Sequence, residues 1–268
     1  MSDPAMSDPA MTGPGRMRII EERTGAVLTL TMDYPARRNA LALALREELA
    51  AILDRVEGDA GVRAIVLTGS EGVFSAGGDI SSMNVAGAAA GRDRLRRVHR
   101  VIRMMVAGKT PVVAAVEGWC VGAGLSIACA CDTIVAAEDA KFAAGFGKIG
   151  LMGDLGLPFT LPGRVGVSKA KQILFYGAQI AAPEAERIGL VDQMVPPGQA
   201  LSAALEKARF LAEQAPLPLA LTKAILAEGL DRALETERHY QSMLFLSDDH
   251  AEGRDAFLAK RPPQFTGG

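Results

Sequence analysis

Residues 111–130 read PVVAAVEGWCVGAGLSIACA. Val112–Val116 is a continuous apolar run of strand length, which suits a strand buried on both faces. Gly118, Gly122 and Gly124 break the run, and apolar residues resume through Ala130. Twenty residues are enough to span a bilayer, but Glu117 interrupts the stretch, Asp132 closes it and glycines fill its middle. The stretch therefore predicts a buried strand, a glycine turn and a buried helix.

The flanking sequence repeats this alternation. Ile19–Glu22 and Val27–Met32 are strand candidates around the hairpin signal Thr24-Gly25. Leu45, Leu49, Ile52, Leu53 and Val56 recur at helical spacing, with Arg46, Glu47, Glu48 and Asp54 expected to face away. Ala64–Thr68 is a second buried strand, Leu95, Val98, Ile102 and Met105 line a helix, and Thr133–Ala137 is a further strand. After Gly156 only helices are expected: Pro183–Ile188, Leu201–Glu213, Pro218–Gly229, Leu230–Phe245 and His250–Lys260. The pattern divides the chain into a short disordered leader at 1–17, which carries MSDPA twice, an α/β core at 18–196 and a helical region at 197–268.

Composition excludes several classes. Apolar residues make up 49% of the 268 residues, so the chain can bury a sizeable core. A net charge of −2 gives no chain-wide attraction to nucleic acid or to an anionic membrane, and 5% aromatics are too few for a stacking platform. Cys120, Cys129 and Cys131 are an odd set in an apolar stretch and read as reduced, buried thiols of a cytoplasmic protein. His99, His239 and His250 are scattered, so no metal cluster is expected.

Two glycine motifs carry no chemistry. Residues 145–150 match G-x-G-x-x-G but lack the flanking strand, helix and acidic residue of a dinucleotide site, and Gly108-Lys109-Thr110 lacks the first glycine of a phosphate loop. Two other turns are better placed. Ala76-Gly77-Gly78-Asp79 follows the Ala64–Thr68 strand, and Gly122-Ala123-Gly124 follows the Val112–Val116 strand. Loops at the carboxyl ends of buried strands are where α/β sheets bind ligands. Small residues there allow two backbone amides to meet one oxygen, although tight turns alone would also demand them.

PARRNAL at 35–41, FSAGGDI at 74–80 and KTPVVAAVEGWCVGAGLSIACACD at 109–132 together resemble the crotonase (enoyl-CoA hydratase/isomerase) family. So do KIGLMGDLGLPFTLPGRVG at 148–166, EAERIGLVDQMVP at 184–196 and EGRDAFLAKRPPQFTG at 252–267. The resemblance runs from Arg18 to the end. It implies a crotonase-like α/β spiral of ββα units with a helical C-terminal region, assembled as a homotrimer or a dimer of trimers. It also implies an acyl-CoA substrate, with the coenzyme A thioester itself the substrate and no separate cofactor.

By the same resemblance, the amides of Gly78 and Ala123 form an oxyanion hole for the thioester oxygen. Ala36, Arg38, Ala40 and the turn Ala76, Gly77, Gly78, Asp79 and Ile80 fall on CoA-contacting positions. Gly122, Ala123, Ser126, Phe146 and Leu151 are further candidate substrate or CoA contacts. Trp119 reads equally as packing beside the acyl pocket or as core, and Phe257 and Lys260 fall where a helix of the family reaches the CoA nucleotide.

The hydratases of the family carry two glutamates, and here those positions are Ser126 and Phe146. Hydration needs one carboxylate to activate water and another to deliver a proton. Asp154 matches a carboxylate position of the family's isomerases, including those acting on ring-epoxide phenylacetyl-CoA. By local sequence alone it could instead cap the helix that follows. Isomerisation of an enoyl-CoA is therefore expected ahead of hydration, of aryl-CoA dehalogenation with Asp154 as nucleophile, and of non-catalytic CoA-ester binding. The arginine run Arg92, Arg94, Arg96, Arg97, Arg100 and Arg103 reads as a solvated helix face, with an electrostatic lure for the CoA phosphates as the alternative, and His99 reads as a structural residue.

Overall fold

In the computed structural model, which describes residues 17–83 and 85–268, the alternating apolar runs build a six-stranded sheet. The strands are β1 (Arg18–Thr24), β2 (Val27–Asp33), β3 (Ala64–Gly69), β4 (Val112–Val116), β6 (Thr133–Ala137) and β9 (Gln193–Val195). They stand in the order β1-β2-β3-β4-β6-β9. β1 and β2 form an antiparallel hairpin turning at Gly25 (φ 61°), and all later pairs are parallel. Leader residues 1–16 lie outside the described residues, whereas Met17 packs against the core.

Both sheet faces are covered, which explains the unbroken apolar runs. Ile65, Leu67, Ala114 and Val116 point into the main core, where α1 (Leu43–Glu57) and α2 (Ala88–Ala107) pack. Their neighbours Val66, Val113 and Ala115 point the other way, against Ala200, Ala204 and Ala208 of α6 (Ala200–Glu213).

A smaller sheet pairs β5 (Trp119–Val121) with β7 (Lys141–Ala143) in parallel, and β7 with β8 (Ile180–Ala181). The expectation of helices alone after Gly156 is thus corrected: β8 and β9 follow it. Strands of two and three residues carry no readable alternation, and these two exist through their tertiary pairing. The helices are α3 (Ala123–Cys129), α4 (Leu157–Tyr176), α5 (Ala182–Arg187), α7 (Pro216–Leu226), α8 (Leu230–Leu244) and α9 (Asp248–Leu258). No helix among the described residues is long and apolar enough to cross a membrane. The three cysteines are free and buried, and burial pushes their thiols upward in pKa.

Candidate active site

Three loops that leave the carboxyl ends of β2, β3 and β4 are laced together. Fully buried Asn39 (φ 56°) is the knot. Its Nδ2 donates to Ser70 O and Val73 O at 2.9 and 2.6 Å, and its Oδ1 accepts from Tyr34 N at 2.9 Å. Ser75 continues the lacing. Its Oγ donates to Asn39 O at 2.8 Å, its amide donates to Trp119 O, and its carbonyl accepts from Val121 N. Leu41 N donates to Gly77 O at 2.7 Å.

This brings the Gly78 and Ala123 turns into contact, since a Cβ built on Gly78 would lie 4.0 Å from Ala123 Cβ. Among the described residues neither the Gly78 nor the Ala123 amide donates to a carbonyl or a side chain. The two residues that carry these unspent donors lie side by side on the wall of a cavity of about 330 Å³.

Asp154 lines the same cavity. It is 6% exposed, and its Oδ1 has no partner among the described residues, while Oδ2 accepts from Gln241 Nε2 at 3.4 Å. Burial, and then the Glu237 charge, push its pKa up to about 6; Arg46, His99 and the Gln241 bond oppose them. The Asp154 side chain does not cap α4, whose N-cap is Gly156 without a side-chain bond, so the capping alternative is set aside. Glu237 instead holds the turn just ahead of α4. Its Oε1 and Oε2 accept from Leu155 N and Gly156 N, each at 2.8 Å, and His99 Nε2 donates to Oε1 at 2.7 Å. Leu155 and Gly156 both have positive φ (54° and 72°), a strained turn that this carboxylate holds in place. Gln241 Oε1 accepts from Met152 N, and its Nε2 donates to Met152 O, so the loop is gripped on both sides of Asp154.

Of the other expected residues, Ala76, Gly77, Ile80, Trp119, Gly122, Phe146, Leu151 and Phe257 line the cavity. Ala36, Arg38, Ala40, Asp79, Ser126 and Lys260 do not. Ser126 is fully buried behind the wall, and its Oγ donates to Gly122 O at 3.3 Å. Ala36, Arg38 and Lys260 are exposed. His99, read as structural, is fully buried on α2.

Arg46 corrects the reading of α1. It faces inward at 4% exposure, lines the cavity, and burial lowers its pKa to about 10. Five of the arginines on α2 form ion pairs on its outer side, with Glu235, Asp93, Glu47, Asp54 and Asp231. Arg94 is half-buried, and burial lowers its pKa too.

A family model described as Enoyl-CoA hydratase/isomerase matches residues 22–268. The chain belongs to the enoyl-CoA hydratase/isomerase family. Its six-stranded sheet with a helical C-terminal region is the crotonase fold. The enoyl-CoA hydratase of Mycobacterium avium subsp. paratuberculosis K-10 superposes with a TM-score of 0.83 at 30% identity, over 92% of this chain and 98% of that one. The 1,2-epoxyphenylacetyl-CoA isomerase of Escherichia coli (strain K12) is 36% identical over 249 residues, 90% of this chain and 95% of that protein. The 2,3-dehydroadipyl-CoA hydratase of the same organism is 34% identical over 253 residues, 93% and 98%. The protein is an enzyme of the enoyl-CoA hydratase/isomerase family, a family that acts on acyl-CoA substrates.

Proposed function

We propose that this family member is an isomerase of unsaturated or ring-derived acyl-CoA thioesters, with Asp154 as the base that moves the proton. One observation carries the reading. A buried carboxylate oxygen without a partner shares a cavity with two free amides, while Ser126 and Phe146 offer no second carboxylate. The similarity to the E. coli 1,2-epoxyphenylacetyl-CoA isomerase supports it; hydratase-named relatives at similar identity support only the broader class.

The thioester oxygen accepts from Gly78 N and Ala123 N, which stabilise the enolate that forms when a proton leaves carbon. Asp154 removes a proton from one carbon, and the C–H electrons pass into the enolate. The same carboxylic acid returns the proton to another carbon of the conjugated system, moving the double bond between β,γ and α,β. A pKa of about 6 leaves Asp154 ionised at neutral pH yet more basic than an exposed aspartate. Dehalogenation would need a partner base, and the Nε2 of His99 is already committed to Glu237.

The test is a panel of acyl-CoAs incubated with the protein in heavy water and followed by mass spectrometry. Double-bond migration lost in Asp154→Asn is the expected result. A quenched covalent adduct would favour dehalogenation, and binding without turnover would favour a CoA-ester binding protein. The CoA thioester serves as the substrate, with no separate cofactor. A cytoplasmic trimer or dimer of trimers fits the exposed Leu217, Leu221, Ile225 and Leu226 of α7, and light scattering would read that assembly.

A further inference from the structure

Arg46 lies on the buried side of α1 at 4% exposure. Its Nε is buried without a partner, and among the described residues the guanidinium makes no ion pair or hydrogen bond. Burying a charge without an acceptor is costly, and an apolar residue packed at this point would avoid that cost. The charge nonetheless persists, since a pKa of about 10 keeps the group protonated at neutral pH.

Its position is specific. A Cβ built on Gly78 would lie 3.4 Å from Arg46 Nη2, so the guanidinium stands beside the oxyanion turn. Asp154 lines the same cavity and its charge steadies the guanidinium at longer range, but no hydrogen bond or ion pair joins the two. Ile80, Met83, Trp119, Val121 and Phe146 supply apolar wall around them. A hydrocarbon acyl chain offers no acceptor to these N–H groups, and the thioester oxygen already has its two amides.

We propose that Arg46 is a specificity-determining residue that receives an oxygen acceptor borne by the acyl group itself. The cavity would then select oxygenated acyl-CoA thioesters over plain hydrocarbon ones. A hydroxyl, a ring oxygen and a carboxylate share this acceptor chemistry. The proposal rests on the reading of the cavity as an acyl-CoA site, but not on the isomerase step.

Isothermal titration tests it with three saturated acyl-CoAs of matched chain length: one unsubstituted, one hydroxylated and one ending in a carboxylate. Saturated thioesters need no turnover, so a failed isomerase reading leaves this measurement intact. Wild type is expected to bind at least one oxygenated thioester about tenfold or more tightly than the plain one. The tighter of the two oxygenated ligands identifies a neutral or an anionic group. Arg46→Met should bring that ratio close to one, and Arg46→Lys should keep part of it. Because the ratio is taken within each variant, a loss of folded material cancels. An unchanged ratio in Arg46→Met overturns the proposal, and so does a wild-type preference for the plain thioester. Equal weakening of all three ligands does so as well, since it would mark Arg46 as a third donor to the thioester oxygen. Absence of any acyl-CoA binding would overturn this proposal and the acyl-CoA reading together.

Discussion

Glu237 receives the backbone amides of Leu155 and Gly156 at 2.8 Å each, and so holds the turn that bears Asp154 without using the carboxylate of Asp154. A helix start needs acceptors for its free amides, and an aspartate just ahead of one is ordinarily spent on them. Here the amides of the turn ahead of the helix are instead met by a carboxylate of α8, some eighty residues away in sequence. Asp154 lines the cavity with Oδ1 left without a partner among the described residues, and the nearby Glu237 charge raises its basicity. One carboxylate organises the turn, and the other is left available for the base role proposed for it.

Asp154→Asn should therefore abolish turnover while leaving the fold and acyl-CoA binding in place. A positioned general base contributes roughly 10²–10⁴-fold. We expect a fall of that order in kcat, with Kd for acyl-CoA within a few-fold of wild type. Full activity in this variant would falsify the mechanism.

Stability should fall as pH rises through the titration of Asp154. Its folded pKa of about 6 lies above the ordinary 3.8, so the folded state binds the proton more tightly than the unfolded chain. The stabilisation is fully present below about 4 and is lost as pH rises through about 6. The span corresponds to about 3 kcal/mol. Urea denaturation at pH 4 and pH 7 should show wild type losing stability relative to Asp154→Asn at the higher pH. Parallel curves for the two proteins would contradict the burial of an ionised carboxylate.

The sheet was legible because β3, β4 and β6 are apolar on both faces, and the two glycine turns because they follow such strands. What escaped was polar. Arg46 shares its buried stripe with Ala50 and Leu53 at helical spacing, yet its charge suggested an outward face. Glu237 and Gln241 continue the stripe of Leu230 and Leu234 in the same way. A polar or charged residue in register with an apolar stripe is the signal that would have found all three, because such groups are rarely buried without a task. The distance between Glu237 and the Asp154 turn is set by tertiary packing, and no local pattern encodes it.

Glu237→Gln should cost stability and shift the acid limb of activity. An amide side chain can accept one of the two backbone N–H groups, but its NH₂ opposes the other. The unsatisfied amide is worth about 1–3 kcal/mol. Loss of the negative charge behind Asp154 also removes one cause of its raised pKa, so the limb should move to lower pH. A pH profile of kcat/KM, recorded with urea denaturation, separates the two effects. A limb that stays near pH 6 while stability falls would restrict Glu237 to a purely mechanical role.

Gly124→Ala should damage the proposed oxyanion hole without touching Asp154. A Cβ at Gly124 would fall 2.8 Å from Ser75 Cβ and 2.9 Å from Ser75 O, well inside contact distance. Ser75 cannot step aside, because its amide, carbonyl and hydroxyl are bonded to Trp119, Val121 and Asn39. The added methyl must instead push the Gly78 and Ala123 turns apart by several tenths of an ångström. Amides aimed at developing charge tolerate little displacement, and losing one donor costs about 10²–10³-fold in kcat. We expect a drop approaching that range, together with about 1–3 kcal/mol of lost stability from the overpacking. Gly163→Ala is the matched control, since a Cβ there meets nothing within 4 Å and the position lies on α4 outside the cavity. If the Gly124→Ala enzyme keeps wild-type kcat while the control also does, the two amides do not act as the oxyanion donors.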